Sequence, residues 1–187
     1  MKIEIDPTVE LSRKLRLDRV PAGGVELRIE PGETERAALA RRFALSAVTS
    51  MSATTRLDQG AGGMWRVRGR LLARVVQPCG ITLEPVEQAI DDTFDLRFGE
   101  AAEELDRATG ELVIDADGEA PEPLEGDELD LGAVVADQLG LAIDPFPRKA
   151  GARLEDVLPA AREEDPAAGP FGVLRALRRR EPDSKGS

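Results

Sequence analysis

Arginines recur at alternate positions in one stretch near the middle of the sequence. Arg66, Arg68, Arg70 and Arg74 interrupt an otherwise apolar series over residues 65–77. Successive side chains of a strand point to opposite faces, so this spacing predicts a strand with four guanidiniums on one face. Each guanidinium can meet a phosphate through paired donors, and neutralising phosphates releases counterions. The row of arginines is therefore a candidate contact for an RNA backbone.

The next predicted strand offers a second interpretation of the same arginines. It carries Asp91 and Asp95 on its own polar face. If both strands turn their apolar faces to one core, cross-strand salt bridges with these carboxylates would neutralise the guanidiniums. The sequence leaves both interpretations open.

Further cations towards the C-terminus extend the set of candidate RNA contacts. They are Arg148, Lys149, Arg178, Arg179 and Arg180. The last three close a short amphipathic segment, residues 171–180, whose narrow apolar stripe lies beside its arginines. Such a segment suits docking on a partner or on RNA, and packing on its own domain is the alternative.

The formal net charge of −11 comes from one region of the chain. Residues 100–144 contain 15 acidic residues and one basic residue, so this region carries −14 and the remainder carries +3. Concentrated carboxylates attract surfaces rich in lysine and arginine, so the region could hold a basic protein. The alternative is a loop that only adds solubility. DNA is not expected as a partner.

Residue types that usually perform catalysis or bind metals are scarce. The chain has no histidine and no tyrosine, and Cys79 is its single cysteine. Without histidine, a structural zinc site lacks its usual ligands, and Cys79 lacks a base that would activate it as a nucleophile. We therefore expect no enzyme activity, no metal and no cofactor.

The sequence also lacks the features of a membrane or secreted protein. Its apolar runs are far shorter than the roughly 20 residues that cross a bilayer. The first six residues show no basic region followed by an apolar one, as a secretion signal would. The sequence therefore predicts a cytoplasmic protein without a membrane partner.

Hydrophobic periodicity predicts six strands and two helices. The strands are residues 9–17, 25–29, 47–57, 65–77, 90–98 and 112–114, and the helices are residues 33–44 and 130–143. The first two strands are predicted to pair as a hairpin, and the Gly-rich residues 58–63 join the third to the fourth.

Strands in hairpins interrupted by two helices predict an α+β fold. We expect mainly antiparallel β-sheet or a partly open β-barrel, with two short amphipathic helices and a flexible C-terminal tail. The domain would span residues 1–158, with an acidic loop at about 100–126. The tail would span residues 159–187 and contain the short basic amphipathic segment.

Two stretches of the sequence carry a family resemblance. They are Pro78-Cys79-Gly80-Ile81-Thr82-Leu83-Glu84-Pro85, followed by a strand, and Asp130-Leu131-Gly132, continuing to Pro145-Phe146-Pro147. Their order and spacing resemble the YceD family, the large ribosomal RNA subunit accumulation proteins. In that family a Cys-x-Arg-Cys-Leu-x-Pro stretch occupies the first position, and here Ile81 and Thr82 stand where its arginine and second cysteine would be. The residues that match or occupy the family motif are Cys79, Thr82, Leu83, Pro85, Asp130, Leu131, Pro145 and Pro147.

The resemblance covers about residues 45–177, and what it implies is the cellular process in which the protein takes part. It implies a role in ribosome biogenesis, in which the protein supports accumulation of large-subunit (23S) rRNA by binding that RNA or a precursor particle, without enzymatic activity. The alternative is an acidic adaptor that binds a basic ribosomal protein.

Overall fold

A computed structural model describes residues 3–6, 8–60, 63–99, 121–124 and 126–157. Its strands are β1 (Lys14–Arg16), β2 (Val25–Ile29), β3 (Ala47–Gln59), β4 (Trp65–Pro78), β5 (Pro85–Phe98) and β6 (Glu128–Asp130). Its helices are α1 (Glu33–Arg42) and α2 (Leu131–Ala142), and 3-10 turns occur at Leu17–Arg19 and Leu154–Asp156. The chain divides into the units Met1–Lys149 and Ala150–Ser187, and the second is described only over residues 150–157.

The main sheet is antiparallel and has the strand order β2-β3-β4-β5. Strands β3 and β4 pair along almost their whole length, with one irregularity between Val48 and Ser50. Strand β5 pairs with β4 from Trp65 opposite Phe98 to Pro78 opposite Pro85. The predicted hairpin around residues 58–63 and the antiparallel α+β class are confirmed, and the sheet is not closed into a barrel.

The predicted hairpin between residues 9–17 and 25–29 is wrong. Only Lys14–Arg16 form a strand in this region, and β1 pairs antiparallel with β6, where Leu15 lies opposite Leu129. Strand β2 pairs instead with β3. The alternation in residues 9–17 correctly marks burial, since Leu11 and Leu15 are fully buried. Alternation does not identify the strand that completes the hydrogen-bond ladder.

One face of the sheet packs against the helices and forms the core. On β4 the inward side chains Val67, Leu71 and Val75 are fully buried. Helix α1 packs on β3, and α2 packs on β4 and β5 through a buried row that includes Val135 and Leu139. Because successive strand residues alternate, this burial leaves the side chains between them on the opposite face in solvent.

The chain beyond β5 is described only at Gly99 and again from residue 121. Glu122 pairs in parallel with Phe98, and the Gly99 N–H donates to the Glu122 carbonyl at 3.0 Å. The predicted strand at residues 112–114, most of the predicted acidic loop and the predicted tail lie outside the described residues. The domain boundary after residue 158 therefore stays a prediction.

Candidate nucleic-acid interface

The solvent-facing side of strands β2 to β5 is rich in arginine, and we call it the arginine face. It carries seven arginines and five carboxylates, a net charge of +2, although the whole chain carries −11. The arginines are Arg28, Arg56, Arg66, Arg68, Arg70, Arg74 and Arg97, and the carboxylates are Glu26, Asp58, Glu87, Asp91 and Asp95. The acidity of the chain therefore does not extend to this surface.

Two of the four arginines predicted on β4 form ion pairs with β5. Arg66 donates Nε to Asp95 Oδ1 at 2.6 Å, and its second contact with Asp95 completes a fork. Arg70 meets both oxygens of Asp91 at 2.7 Å. Both pairs run diagonally across the ladder, since Asp95 lies opposite Arg68 and Asp91 lies opposite Leu72. The carboxylates are those that the second interpretation of the sequence named.

A third pair, unexpected from the sequence, ties β4 to β3. Arg68 donates to Asp58 at 2.7 Å, and Asp58 also pairs with Arg56 at 2.9 Å. The hydrogen bond from Arg68 is the main cause that lowers the pKa of Asp58 below its usual range. Hydrogen bonds from Arg66 and Arg70 lower the pKa of Asp95 and Asp91 in the same way. These carboxylates therefore remain ionised at moderately acidic pH.

These ion pairs lie at the surface, which limits how firmly they hold the guanidiniums. The side chains of Arg66, Arg68 and Arg70 are 50%, 48% and 60% exposed. Exposed pairs of this kind contribute roughly 0–1 kcal/mol. A guanidinium has five N–H donors, and a carboxylate fork occupies two of them. The arginines are paired, yet donors remain available to an external anion.

Arg74 differs from the other three predicted arginines. Its side chain is exposed, and among the described residues it forms no ion pair. On β5, the exposed side chain of Arg97 is likewise without an ion pair in the described part of the chain. Arg97 was not singled out from the sequence, although its alternation with Asp95 and Thr93 already placed it on the polar face.

Arg28 and Arg56 were also missed as members of this surface. Their own strands alternate, but only the pairing register shows that they share a face with the arginines of β4. Arg56 lies directly opposite Arg68, and Thr54 lies between Arg28 and Arg70. A surface that spans four strands therefore requires the register, which a single sequence does not supply.

The family-motif residue Cys79 is fully buried and acts as an anchor for the backbone. Its Sγ accepts N–H groups from Ile81 at 3.4 Å, Thr82 at 3.5 Å and Lys149 at 3.4 Å. These donors, with Lys149 contributing most, lower the pKa of the thiol to about 6. Thr82, at the position of the family's second cysteine, contributes its backbone N–H. Among the described residues no cluster of three potential metal ligands occurs.

Asp130 is a second anchor, and together with Cys79 it forms what we call the motif anchors. Its Oδ1 caps α2 by accepting N–H groups from Gly132 at 2.9 Å and Ala133 at 3.3 Å. The same carboxylate accepts the Arg13 N–H at 2.5 Å and the Ser12 hydroxyl at 2.6 Å. The predicted N-cap is thus confirmed, and it also holds the N-terminal segment against the start of α2.

The other motif residues shape the chain around these anchors. Leu131 is fully buried, Pro85 begins β5, and the Pro147 carbonyl accepts the Gly80 N–H at 2.8 Å. Pro145 is exposed, and so is Leu83, at 77% and with a positive φ of 62°. These residues set turns and packing.

The predicted C-terminal cations have different outcomes. Arg148 and Lys149 are exposed, and Lys149 Nζ pairs with Glu84 at 2.9 Å, well away in sequence from the four arginines of β4. Arg178, Arg179 and Arg180, with the amphipathic segment before them, lie outside the described residues. The roles predicted for all five stay predictions.

The fold and the surface together define the class of protein. It is an α+β protein whose open antiparallel sheet carries helices on one face and arginines on the other. A family model described as "Large ribosomal RNA subunit accumulation protein YceD" matches residues 67–178, more than half of the chain. The chain belongs to the YceD family, as its motifs indicated, and the family's description implies a role in accumulation of large-subunit ribosomal RNA. Comparisons with curated proteins and with solved structures gave no match. In the described part of the chain, no helix has the length and apolar character needed to span a membrane.

Proposed function

We propose that this protein supports accumulation of 23S rRNA in the cytoplasm by binding the RNA, or a precursor particle that contains it, through the arginine face. The mechanism is non-covalent. Guanidiniums on neighbouring strands meet phosphates and release counterions, and the sheet holds them in a fixed array. No chemical step on the RNA is required.

One observation carries the proposal: the exposed guanidinium of Arg74 has no carboxylate partner within the described chain. A phosphate that binds there has no ion pair to break, although Glu87 and Asp91 flank Arg74 diagonally on β5. Arg66 and Arg70 have partners that are 45% and 56% exposed, and Asp58, the partner of Arg68, is 23% exposed. A phosphate can share the donors that these arginines keep free. On β4 the surface therefore offers one arginine without an ion pair and three whose pairs a phosphate can share, and Arg97 on β5 is also without an ion pair in the described chain.

The acidic region of the chain bears on the conditions of binding. A molecule with a net charge of −11 repels RNA at long range, and this repulsion is strongest at low salt. For RNA to bind, the attraction between its phosphates and the arginine face must exceed this repulsion. The salt dependence of binding therefore reports the local contacts and the overall repulsion together, and a control of equal charge is needed.

The test compares two variants that lack four positive charges each. One replaces Arg66, Arg68, Arg70 and Arg74 by Gln, and the control replaces Arg16, Arg19, Arg41 and Arg42, which lie on other elements. Binding to a 23S rRNA fragment is measured across a salt series. We expect the slope of log affinity against log salt to fall by about 3 in the first variant, because each phosphate that is no longer neutralised lowers the slope by about 0.7.

The control decides the outcome. It should keep the wild-type slope and bind more weakly only through its net charge. If both variants show equally reduced slope and affinity, bulk charge explains the binding and the arginine face does not contact RNA. If wild type does not bind the fragment at all, direct RNA binding is excluded.

The acidic adaptor is the second candidate, and the charge of −14 on residues 100–144 favours it. Gly99 and Glu122 are hydrogen-bonded, so a short Gly-Ser linker can replace residues 101–120 without displacing either end. If this replacement abolishes co-sedimentation with precursor particles while RNA affinity is kept, the adaptor function is supported. The replacement removes seven of the fifteen acidic residues of this region, so if co-sedimentation survives, the adaptor function is excluded for residues 101–120.

A further inference from the structure

A shallow groove crosses the arginine face beside Arg74. Its volume is about 440 Å³, within the range of about 300–1,000 Å³ that is usual for small-molecule sites. Its lining includes the outward side chains Ser50, Ser52, Leu72, Arg74, Ala89 and Asp91. Ser50, Ser52 and Ala89 have small side chains, and the groove is the space that they leave between the larger side chains.

Leu72 gives the groove an apolar surface. Its side chain is 43% exposed, and it is the one large apolar residue that the described strands of the main sheet expose. Its cross-strand neighbours are Ser52 on β3 and Asp91 on β5. Leu72 therefore leaves on this face an apolar surface that an external group can cover.

The groove is lined by one cation, Arg74, and one carboxylate, Asp91. Asp91 lies at the rim, but its carboxylate is held by Arg70 through two hydrogen bonds of 2.7 Å. Arg74 has no ion pair within the described chain. One cationic group without an ion pair therefore stands next to one apolar surface, and Ser50 and Ser52 lie opposite Arg74 and Leu72 on β3.

We propose that this groove binds one unpaired nucleotide of RNA. The base lies on Leu72, the phosphate bonds to the Arg74 guanidinium, and the two serine hydroxyls bond to the ribose or the base edge. The inference rests on the proposed function and narrows it to single-stranded segments, because a base inside a duplex is stacked and cannot reach a side chain in this way.

A protein partner fits the groove less well. Protein interfaces are anchored by clusters of large buried side chains over about 800 Å² per partner. The groove offers a single leucine, and the face around it carries seven arginines. Charge and size together favour a nucleotide.

The test uses three probes: a short single-stranded RNA, a duplex of the same sequence, and heparin, which is a polyanion without bases. Wild type should bind the single strand about tenfold more tightly than the duplex. Leu72→Ala should bind the single strand about three- to tenfold more weakly, because it removes the burial of roughly one to two CH2 groups under the base. It should keep its salt slope and bind heparin as wild type does. Arg74→Gln should lower the salt slope by about 0.7.

Two further variants make the test specific. Leu72→Met keeps an apolar side chain and should restore single-strand binding, which separates removal of the apolar surface from damage to the structure. Leu141→Ala makes the same change as Leu72→Ala at an exposed leucine of α2, away from the arginine face, and should bind as wild type does.

The outcomes distinguish this inference from the proposed function. If Leu72→Ala binds the single strand as well as wild type, or if wild type prefers the duplex, the groove is not a nucleotide site, while the arginine face can still bind RNA. If Leu72→Ala keeps all RNA affinity but no longer co-sediments with precursor particles, the groove contacts a protein and the inference is wrong. If wild type binds the 23S rRNA fragment but not the short single strand, the inference fails and the proposed function stands; if it binds neither, both fail.

Discussion

On the arginine face the polar side chains point into solvent, whereas at the motif anchors they bind the chain's own backbone. Arg66, Arg68 and Arg70 form exposed pairs that an external anion can share. Cys79 and Asp130 accept backbone N–H groups from segments far away in sequence. These two motif residues thus hold the fold together, and the surface proposed to bind RNA is built from other side chains.

The motif anchors should dominate stability, and Asp130 should have the largest effect. Asp130→Ala removes a helix cap and leaves the Arg13 N–H and the Ser12 hydroxyl without their acceptor. We expect a decrease of about 2–4 kcal/mol in the free energy of unfolding, measured with urea. Asp137→Ala, an exposed residue of the same helix, should cost about 0.5 kcal/mol. Equal decreases would contradict the assigned role of Asp130.

Cys79 should make stability depend on pH. Its pKa in the folded protein is about 6, below the ordinary value of 9.0, so the thiolate is favoured by folding. This contribution is complete above pH 9 and disappears as pH falls through 6. The difference in unfolding free energy between wild type and Cys79→Ser should therefore grow from pH 6 to pH 9. A difference that does not change with pH would show that Cys79 stays a neutral thiol.

The ion pairs of the arginine face should restrain RNA binding without adding much stability. Asp91→Asn releases Arg70 from its partner and removes a negative charge beside Arg74. We expect RNA affinity to rise about two- to fivefold, with a decrease in stability below about 1 kcal/mol. Asp92→Asn makes the same charge change on the opposite face of β5 and should have a smaller effect. A fall in affinity for Asp91→Asn would mean that the pair positions Arg70 for binding.

The smallest effect is expected at Leu83. Its positive φ of 62° disfavours a branched side chain, and glycine relieves that cost while losing entropy of its own. Leu83→Gly should change the unfolding free energy by less than about 1 kcal/mol and leave RNA affinity unchanged. If the variant keeps its stability but no longer co-sediments with precursor particles, Leu83 contacts the particle. The distinction between motif residues that shape the fold and surface residues that bind RNA is then wrong.

Local chemistry made much of the fold predictable. The Gly-rich turn joined β3 to β4, and Asp130 followed by an apolar helical period gave α2 with its cap. The pairing of β1 with β6 was not predictable, because two strands of three residues lie more than a hundred positions apart and carry no pattern that links them. The β-propensity of a segment shows whether it can form a strand. Which strand it pairs with depends on the rest of the fold.

The candidate site was predictable in outline only. Alternation placed Arg66 and its neighbours on one face, and their pairing with Asp91 and Asp95 was foreseen as an alternative. The difference between Arg70 and Arg74 was not foreseen, since it depends on diagonal contacts that follow from the register. The hydrogen bond from the Lys149 N–H to Cys79 joins residues 70 positions apart, and no local sequence pattern predicts it.

The hydrogen bonds between Gly99 and Glu122, and between Glu122 and Arg97, have a consequence for how this chain can vary. They hold Gly99 and Glu122 side by side at the edge of β5, and the closure entropy of a flexible insertion between two such fixed points grows only slowly with its length. Doubling that length would add about 0.6 kcal/mol. The position between them is therefore suited to the insertion of a reporter domain, which would leave the strand register undisturbed.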